Sequence, residues 1–264
     1  MAVADAVRGA CHSETMKKPI LVGGVVAALV VAGGVAWFVS TLDDQTEAKT
    51  DDVLSDFRAQ AGPARQGQAG LPPQGVYQYR VKGREKIVRG ITIERTLPDT
   101  APMMLLHREG GYETKTLYSA EHTEEAVFAL KPDGAYLTKA VTRISVGPVR
   151  NVVERDWKPQ LLRIPTGAHA PWGGNHQTGT ITMAVKATQR PAEDVTVGTQ
   201  TVKANVYRFD QQATGEYTGT RVEQFWVDPK THLVVRYTID SSLKGPTDLD
   251  FEVDETLTSL EPRT

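Results

Sequence analysis

The sequence has a single cysteine, Cys11, close to the N-terminus. The rest of the chain therefore has no disulfide framework, no cysteine nucleophile and no thiolate metal site. Neither sign of charge dominates: 30 Lys and Arg stand against 32 Asp and Glu, a net charge of −2. The basic residues are spread along the chain, which excludes a polybasic nucleic-acid binder. There is no glycine-rich phosphate loop, no dinucleotide fingerprint and no Gly-x-Ser-x-Gly elbow. No His-Glu-x-x-His spacing or calcium loop occurs either. No cofactor, metal or catalytic set is expected, and the reading leans away from an enzyme. Long apolar runs are also scarce. There is one, which excludes a polytopic transporter.

That run extends from Pro19 to Leu42, 24 residues without a charged side chain. At helical rise it spans roughly 36 Å, enough for a hydrocarbon core of about 30 Å. Trp37 and Phe38 lie near its far end, where interfacial aromatics are favoured. Lys17 and Lys18 precede it, and Asp43 and Asp44 follow it. The positive-inside rule puts residues 1–18 in the cytoplasm and the large domain outside the cell membrane. A cleaved signal peptide starting at Met16 is the competing reading, but a signal core is usually shorter. Gly24, Ala28, Ala32 and Ala36 share one helix face, where small residues permit a weak homodimer.

Residues 43–75 read as a stalk and linker, with 43–61 a short polar helix or stalk. Val53, Leu54 and Phe57 form a small apolar stripe within it. From Gly62 to Gly75 glycine and proline recur too often for a helix or a core. The folded domain is expected over residues 76–264.

There the pattern has period two. Tyr77, Tyr79 and Val81 alternate with Gln78, Arg80 and Lys82; Leu233, Val235, Tyr237 and Ile239 form a similar set. Such alternation marks half-buried strands. Turns fall at Gly110-Gly111, at Lys131-Pro132-Asp133-Gly134 and at Asp228-Pro229-Lys230-Thr231, each between two strand-like runs. The spacing predicts a mainly β domain with little helix: a large antiparallel sheet of about ten to twelve strands, either a curved sheet or half-barrel or one closed into a barrel. Residues 157–177, with several Pro and Gly, read as an irregular crossover between two halves.

Few residues point to a site. His169 and His176, and the cluster Glu121-His122-Thr123-Glu124-Glu125, read as polar loop residues. His107 and His232 fall beside turns and read as solvated. Leu97-Pro98-Asp99-Thr100-Ala101 resembles a sortase pentapeptide but lies mid-domain, so it reads as a turn. Trp157, Trp172, Trp226 and Phe225 are the candidate ligand-binding aromatics. Phe225 and Trp226 are adjacent on a strand, so their rings take opposite faces, and in a curved sheet one of them lines the hollow.

Several segments carry a resemblance. They are Gly75-Val76-Tyr77-Gln78-Tyr79, the hairpin Phe225-Trp226-Val227-Asp228-Pro229-Lys230-Thr231, and the ending Leu257-Thr258-Ser259-Leu260-Glu261-Pro262-Arg263. With the N-terminal anchor, they resemble membrane-anchored β-rich envelope proteins of actinobacteria. The hairpin and Trp172 are also similar to envelope carriers of the LolA/LppX type. That resemblance implies an antiparallel sheet curled around an apolar ligand cavity, closed by helices. The lipid-modified cysteine of LppX-type lipoproteins has no counterpart here.

Three functions follow as expectations. The first is a membrane-anchored domain that binds an apolar or amphiphilic, lipid-like ligand. The second is an envelope scaffold, for which Asp250, Glu252 and Asp254 offer an acidic face to a protein partner. The third is a hydrolase of envelope polymers. An enclosed apolar cavity would separate the first from the others.

Overall fold

The period-two segments form strands whose alternate side chains divide cleanly between an inside and an outside. The computed structural model describes residues 45–62, 71–146 and 149–264. The expected transmembrane helix, with Gly24, Ala28, Ala32 and Ala36, and most of the Gly/Pro linker lie outside the described residues. Among the described residues no helix is long and apolar enough to cross a membrane.

Among the described residues one helix, α1 (Thr50–Gln60), precedes thirteen strands. These are β1 (Gly75–Arg89), β2 (Ile91–Thr96), β3 (Thr100–Arg108), β4 (Gly111–Leu117), β5 (His122–Lys131), β6 (Gly134–Val146) and β7 (Val149–Pro165). There follow β8 (Trp172–Thr178), β9 (Ile181–Val197), β10 (Gln200–Gly215), β11 (Thr218–Val227), β12 (Val234–Lys244) and β13 (Asp248–Leu257). Neighbours pair antiparallel in chain order from β3 to β13, and β13 returns to pair with β1. The result is a closed 12-stranded barrel with β2 as a branch. It is closed rather than a half-barrel because β1 is long enough to serve two neighbours on one edge. Its first residues pair with β3 and its last with β2, while its other edge holds β13 from Tyr79↔Leu257 to Val88↔Asp248. Leu97-Pro98-Asp99 is the corner between β2 and β3, with Leu97 buried.

The Gly110-Gly111 turn shows why both glycines are there. Gly110 has φ +72°, a left-handed conformation that suits glycine. At Gly111 a Cβ would lie 1.8 Å from the Phe128 carbonyl oxygen.

Of the two readings of 43–61, the short helix is the one observed, and it is packed on the barrel. Asp51 and Asp52 in its first turn and Arg58 in its last complement the helix dipole. Val53, Leu54 and Phe57 bury their stripe on the outward-facing Val76, Met104 and Leu106 of β1 and β3. Each such side chain contributes roughly 1.5–3 kcal/mol by leaving water. This explains why β3 is buried on both faces. Arg263 pairs with Asp51 at 2.9 Å and Arg58 Nη2 donates to the Thr264 carbonyl at 2.9 Å, tying the C-terminus to the helix.

Residues 157–177 are mostly strand rather than an irregular crossover: β7 runs on to Pro165, a short loop covers 166–171, and β8 begins at Trp172. Pro159 falls in the register shift between Lys139↔Asp156 and Leu137↔Leu161, where a missing N–H removes no ladder bond. Elsewhere the outer surface is charged. Glu252 pairs with Arg84, Asp254 with Arg236, and Asp250 with Lys244, so the acidic face of β13 is answered by neighbouring strands.

Candidate functional site

A barrel of eight strands is just filled by its own side chains, and larger barrels can enclose space. Here a cavity of about 160 Å³ lies within the barrel. The register sorts its lining into rows. One row runs Tyr112–Phe128, whose rings stack at 4.7 Å, and is apolar. The next runs Thr114–Ala126–Ala140–Arg155 across β4 to β7. Beyond it lies Thr116–Glu124–Thr142. Of these nine lining positions, Thr114, Thr116, Thr142, Glu124 and Arg155 carry a polar or charged group on one side of the Tyr112–Phe128 row, and Arg163 of β7 lies on its other side. Leu71 packs on the core and Pro72 reaches the cavity at the end where β1 begins.

Glu223 is the centre of the charged zone. Its Oε2 accepts from Arg163 Nη1 at 2.8 Å and from the Gln211 amide; its Oε1 accepts from Arg221 Nη2 at 2.9 Å and Tyr237 Oη at 2.7 Å. Burial pushes the Glu223 carboxyl up, but Arg163 and Arg221 outweigh it and hold it well below the usual range. The Arg163 guanidinium lies 4.4 Å from the ring centres of both Phe209 and Phe225, so the cation is faced by π clouds as well as by its carboxylate.

A second cluster lies at the Ile87 end of β1. Arg95, opposite Glu85 on β2, forms an ion pair with it, and His122 Nδ1 lies 2.8 Å from Glu85 Oε2. His122 is 0% exposed. Burial lowers its affinity for a proton, but Glu124 and Glu85 outweigh that and push its pKa up to about 9. Glu255, on β13, is pushed up to about 8 by burial and by Glu124 and Asp254, with the Tyr118 hydroxyl offsetting only part. It is therefore protonated at neutral pH. Arg155 forms none of the ion pairs or side-chain hydrogen bonds in this zone, and burial and Arg221 lower its pKa to about 10.

Two of the four candidate aromatics, Trp157 and Phe225, line the cavity. Trp157 is buried with Nε1 unpartnered, its ring edge-on to His176. Trp172 is not part of the lining. Its Nε1 donates to the Leu162 carbonyl at 2.9 Å and its ring meets Phe209 edge-on, so it closes the wall between β7 and β8. Trp226 takes the face opposite Phe225. There Nε1 donates to Glu193 at 2.8 Å and the Arg236 guanidinium lies 4.6 Å above the ring.

Sequence reasoning missed the charged lining. His122 and Glu124 are not loop residues but the first inward positions of β5. His176 is buried, its Nδ1 2.7 Å from the Pro159 carbonyl oxygen, and His107 Nε2 lies 2.8 Å from the Pro72 carbonyl oxygen. The available signal was charge on the apolar parity of a strand: Arg155 before Trp157, Arg221 and Glu223 before Phe225, Glu255 before Leu257.

The wall has one thin junction. β7 and β8 share a single ladder pair, Lys158↔Gln177, beside the strand that carries Arg155 and Trp157. Among the described residues no group of three His, Cys, Asp or Glu could hold a metal ion. Comparison with protein-family models, with curated proteins and with solved structures finds no match.

Proposed function

We propose that the chain is a single-pass, membrane-anchored extracytoplasmic protein whose barrel binds an apolar or amphiphilic, lipid-like envelope ligand. The observation that carries the binding reading is the interior cavity, which combines the apolar Tyr112–Phe128 row with the charged groups of Arg155, Arg163, Arg221 and Glu223. A cavity of this kind suits a molecule with an alkyl or ring portion and a polar end. The placement at the membrane rests on the uncharged run Pro19–Leu42, flanked by Lys17-Lys18 and Asp43-Asp44.

The binding test uses the full-length chain in phosphatidylcholine nanodiscs, titrated with bromine-labelled alkyl chains, which quench tryptophan on contact. Trp157 emission, taken as the difference between wild type and Trp157→Phe, falls on titration. It does not fall in the Ala126→Phe/Ala140→Phe variant, whose rings fill the cavity. Absence of Trp157-dependent quenching by every alkyl chain overturns the binding reading. For the address, protease added to intact cells should cut the C-terminal domain while the chain stays in the membrane fraction. A protected domain or a chain in the soluble fraction overturns it.

A further inference from the structure

The cavity is not electrically balanced by its own side chains. Three guanidiniums face it, Arg155, Arg163 and Arg221, and the carboxylates that face them are Glu124, Glu223 and Glu255. Glu255 keeps its proton at neutral pH. Glu125 is engaged with Arg143 at 2.6 Å, and burial lowers the pKa of His232, which leaves it neutral. Three cations therefore meet two anions.

The surplus is located at one residue. Arg163 and Arg221 both donate to Glu223. Arg155 donates to no side chain. It is half-buried, and its neighbours in register, Ala140 and then Ala126, are too small to fill the space beside the guanidinium. Two residues along the same face, the Trp157 indole N–H is buried and unpartnered. A fixed cation in a partly dry site, with donors unused and room beside it, favours an anion. Arg155 also stands in the row next to the apolar Tyr112–Phe128 row, so an amphiphile bound along the strands can lay its tail on that row with its head at Arg155.

Resting on the proposed binding function, we infer that Arg155 is the anchor for the anionic head group, carboxylate or phosphate, of an amphiphile whose tail lies along the Tyr112–Phe128 side. Arg155 would form a charge-assisted, two-pronged contact with the head group, and the Trp157 N–H supplies a further donor. The thin β7–β8 junction lies beside this position.

The test compares bromine-labelled alkyl chains of equal length ending in carboxylate, phosphate, ammonium or hydroxyl. Each is titrated against the full-length chain in phosphatidylcholine nanodiscs, with Trp157-dependent quenching as the readout. The carboxylate or the phosphate binds at least about tenfold tighter than the alcohol, and the ammonium binds weakest. Whichever anion binds tighter identifies the source as a fatty-acid or a phospholipid-type head. Arg155→Met weakens the anionic chains by about ten- to a hundredfold and leaves the alcohol unchanged; Arg155→Lys restores part of the loss. Thermal unfolding of Arg155→Met at or above the wild-type temperature shows that the loss is not a folding defect. Equal binding of all four head groups, or an Arg155→Met variant that binds the anions normally, overturns the assignment while leaving the cavity a binding site. Failure of every chain to quench overturns the assignment together with the function it rests on.

Discussion

Arg163 on β7 and Glu223 on β11 meet inside the barrel, Nη1 to Oε2 at 2.8 Å, although three strands lie between them in the wall. Such a contact spans the lumen rather than following the sheet. It draws the two sides together at the charged zone, and the stacking of Phe209 and Phe225 against the guanidinium fills the same level.

Removing the carboxylate charge should therefore cost far more than an ordinary hydrogen bond. Glu223→Gln leaves Arg163 and Arg221 as neighbouring buried cations and should destabilise the protein by about 3–5 kcal/mol. Replacing all three with apolar residues of similar volume should cost much less, because no uncompensated charge is left. Thermal unfolding followed by tryptophan emission measures both. If Glu223→Gln melts with the wild type, the strut does not hold the barrel together.

The protonation states set a pH profile. Glu255 has a folded pKa of about 8 against an ordinary 4.5, and His122 about 9 against 6.5. A raised folded pKa stabilises fully below the unfolded value, and the gain is lost as pH rises through the folded one. Glu255 therefore loses its contribution between about pH 4.5 and 8, and His122 between about 6.5 and 9. Glu85, Glu124 and Glu223 have lowered values; their contribution is present above the ordinary carboxylate pKa and lost as pH falls through the folded values. The unfolding temperature should peak at about pH 4.5 and decline towards pH 9, more steeply above about 6.5 where His122 adds to Glu255. Glu255→Gln should flatten the first part of that decline. A profile still rising from pH 6 to 9 would show that Glu255 and His122 are not held as described.

The apolar face of α1 offers a separate test. Phe57→Ala strips the largest side chain from the contact with Val76, Met104 and Leu106 and should cost about 3 kcal/mol. Hydrogen exchange should rise over Thr50–Gln60, while Trp157-dependent quenching by alkyl chains stays as in the wild type. Unchanged exchange in that segment would mean the helix is not held by this stripe.

What could be read from the sequence was what repeats locally. The alternation at Tyr77–Val81, the three turns and the opposite faces of Phe225 and Trp226 all depend on residues within a few positions of one another. The Val53–Leu54–Phe57 stripe was legible too, but not the surface it covers, because Met104 and Leu106 lie half a hundred positions away and look like core. Closure was one of two open alternatives, and the sequence did not decide between them. The pairing of Tyr79 with Leu257 leaves no local mark, since a strand reads alike whether its far edge is free or paired. The charged interior was missed because Glu121–Glu125 is polar enough to pass for a loop. Only the inward parity of His122 and Glu124, set by their partners Ile144 and Thr142, shows otherwise.

The β7–β8 junction should be the first part of the barrel to open. Local opening follows the interactions that must break, and here they are few: the pair Lys158↔Gln177, the Trp172 Nε1 bond to the Leu162 carbonyl and the His176 contact with Pro159. β9 and β10, by contrast, pair from Gln200↔Val197 to Gly215↔Ile181. Trp172→Phe keeps a ring against Phe209 but leaves the Leu162 carbonyl without its donor, a loss of about 1–3 kcal/mol. In native-state hydrogen exchange, amides of Gly173–Thr178 should exchange faster than those in the middle of β10, and Trp172→Phe should accelerate them further without changing β10. Because the junction lies beside Arg155, the same variant should speed both association and dissociation of a bound alkyl anion, with a smaller change in affinity. Equal protection of β8 and β10 in the wild type would show that the wall is uniform and that ligand enters elsewhere.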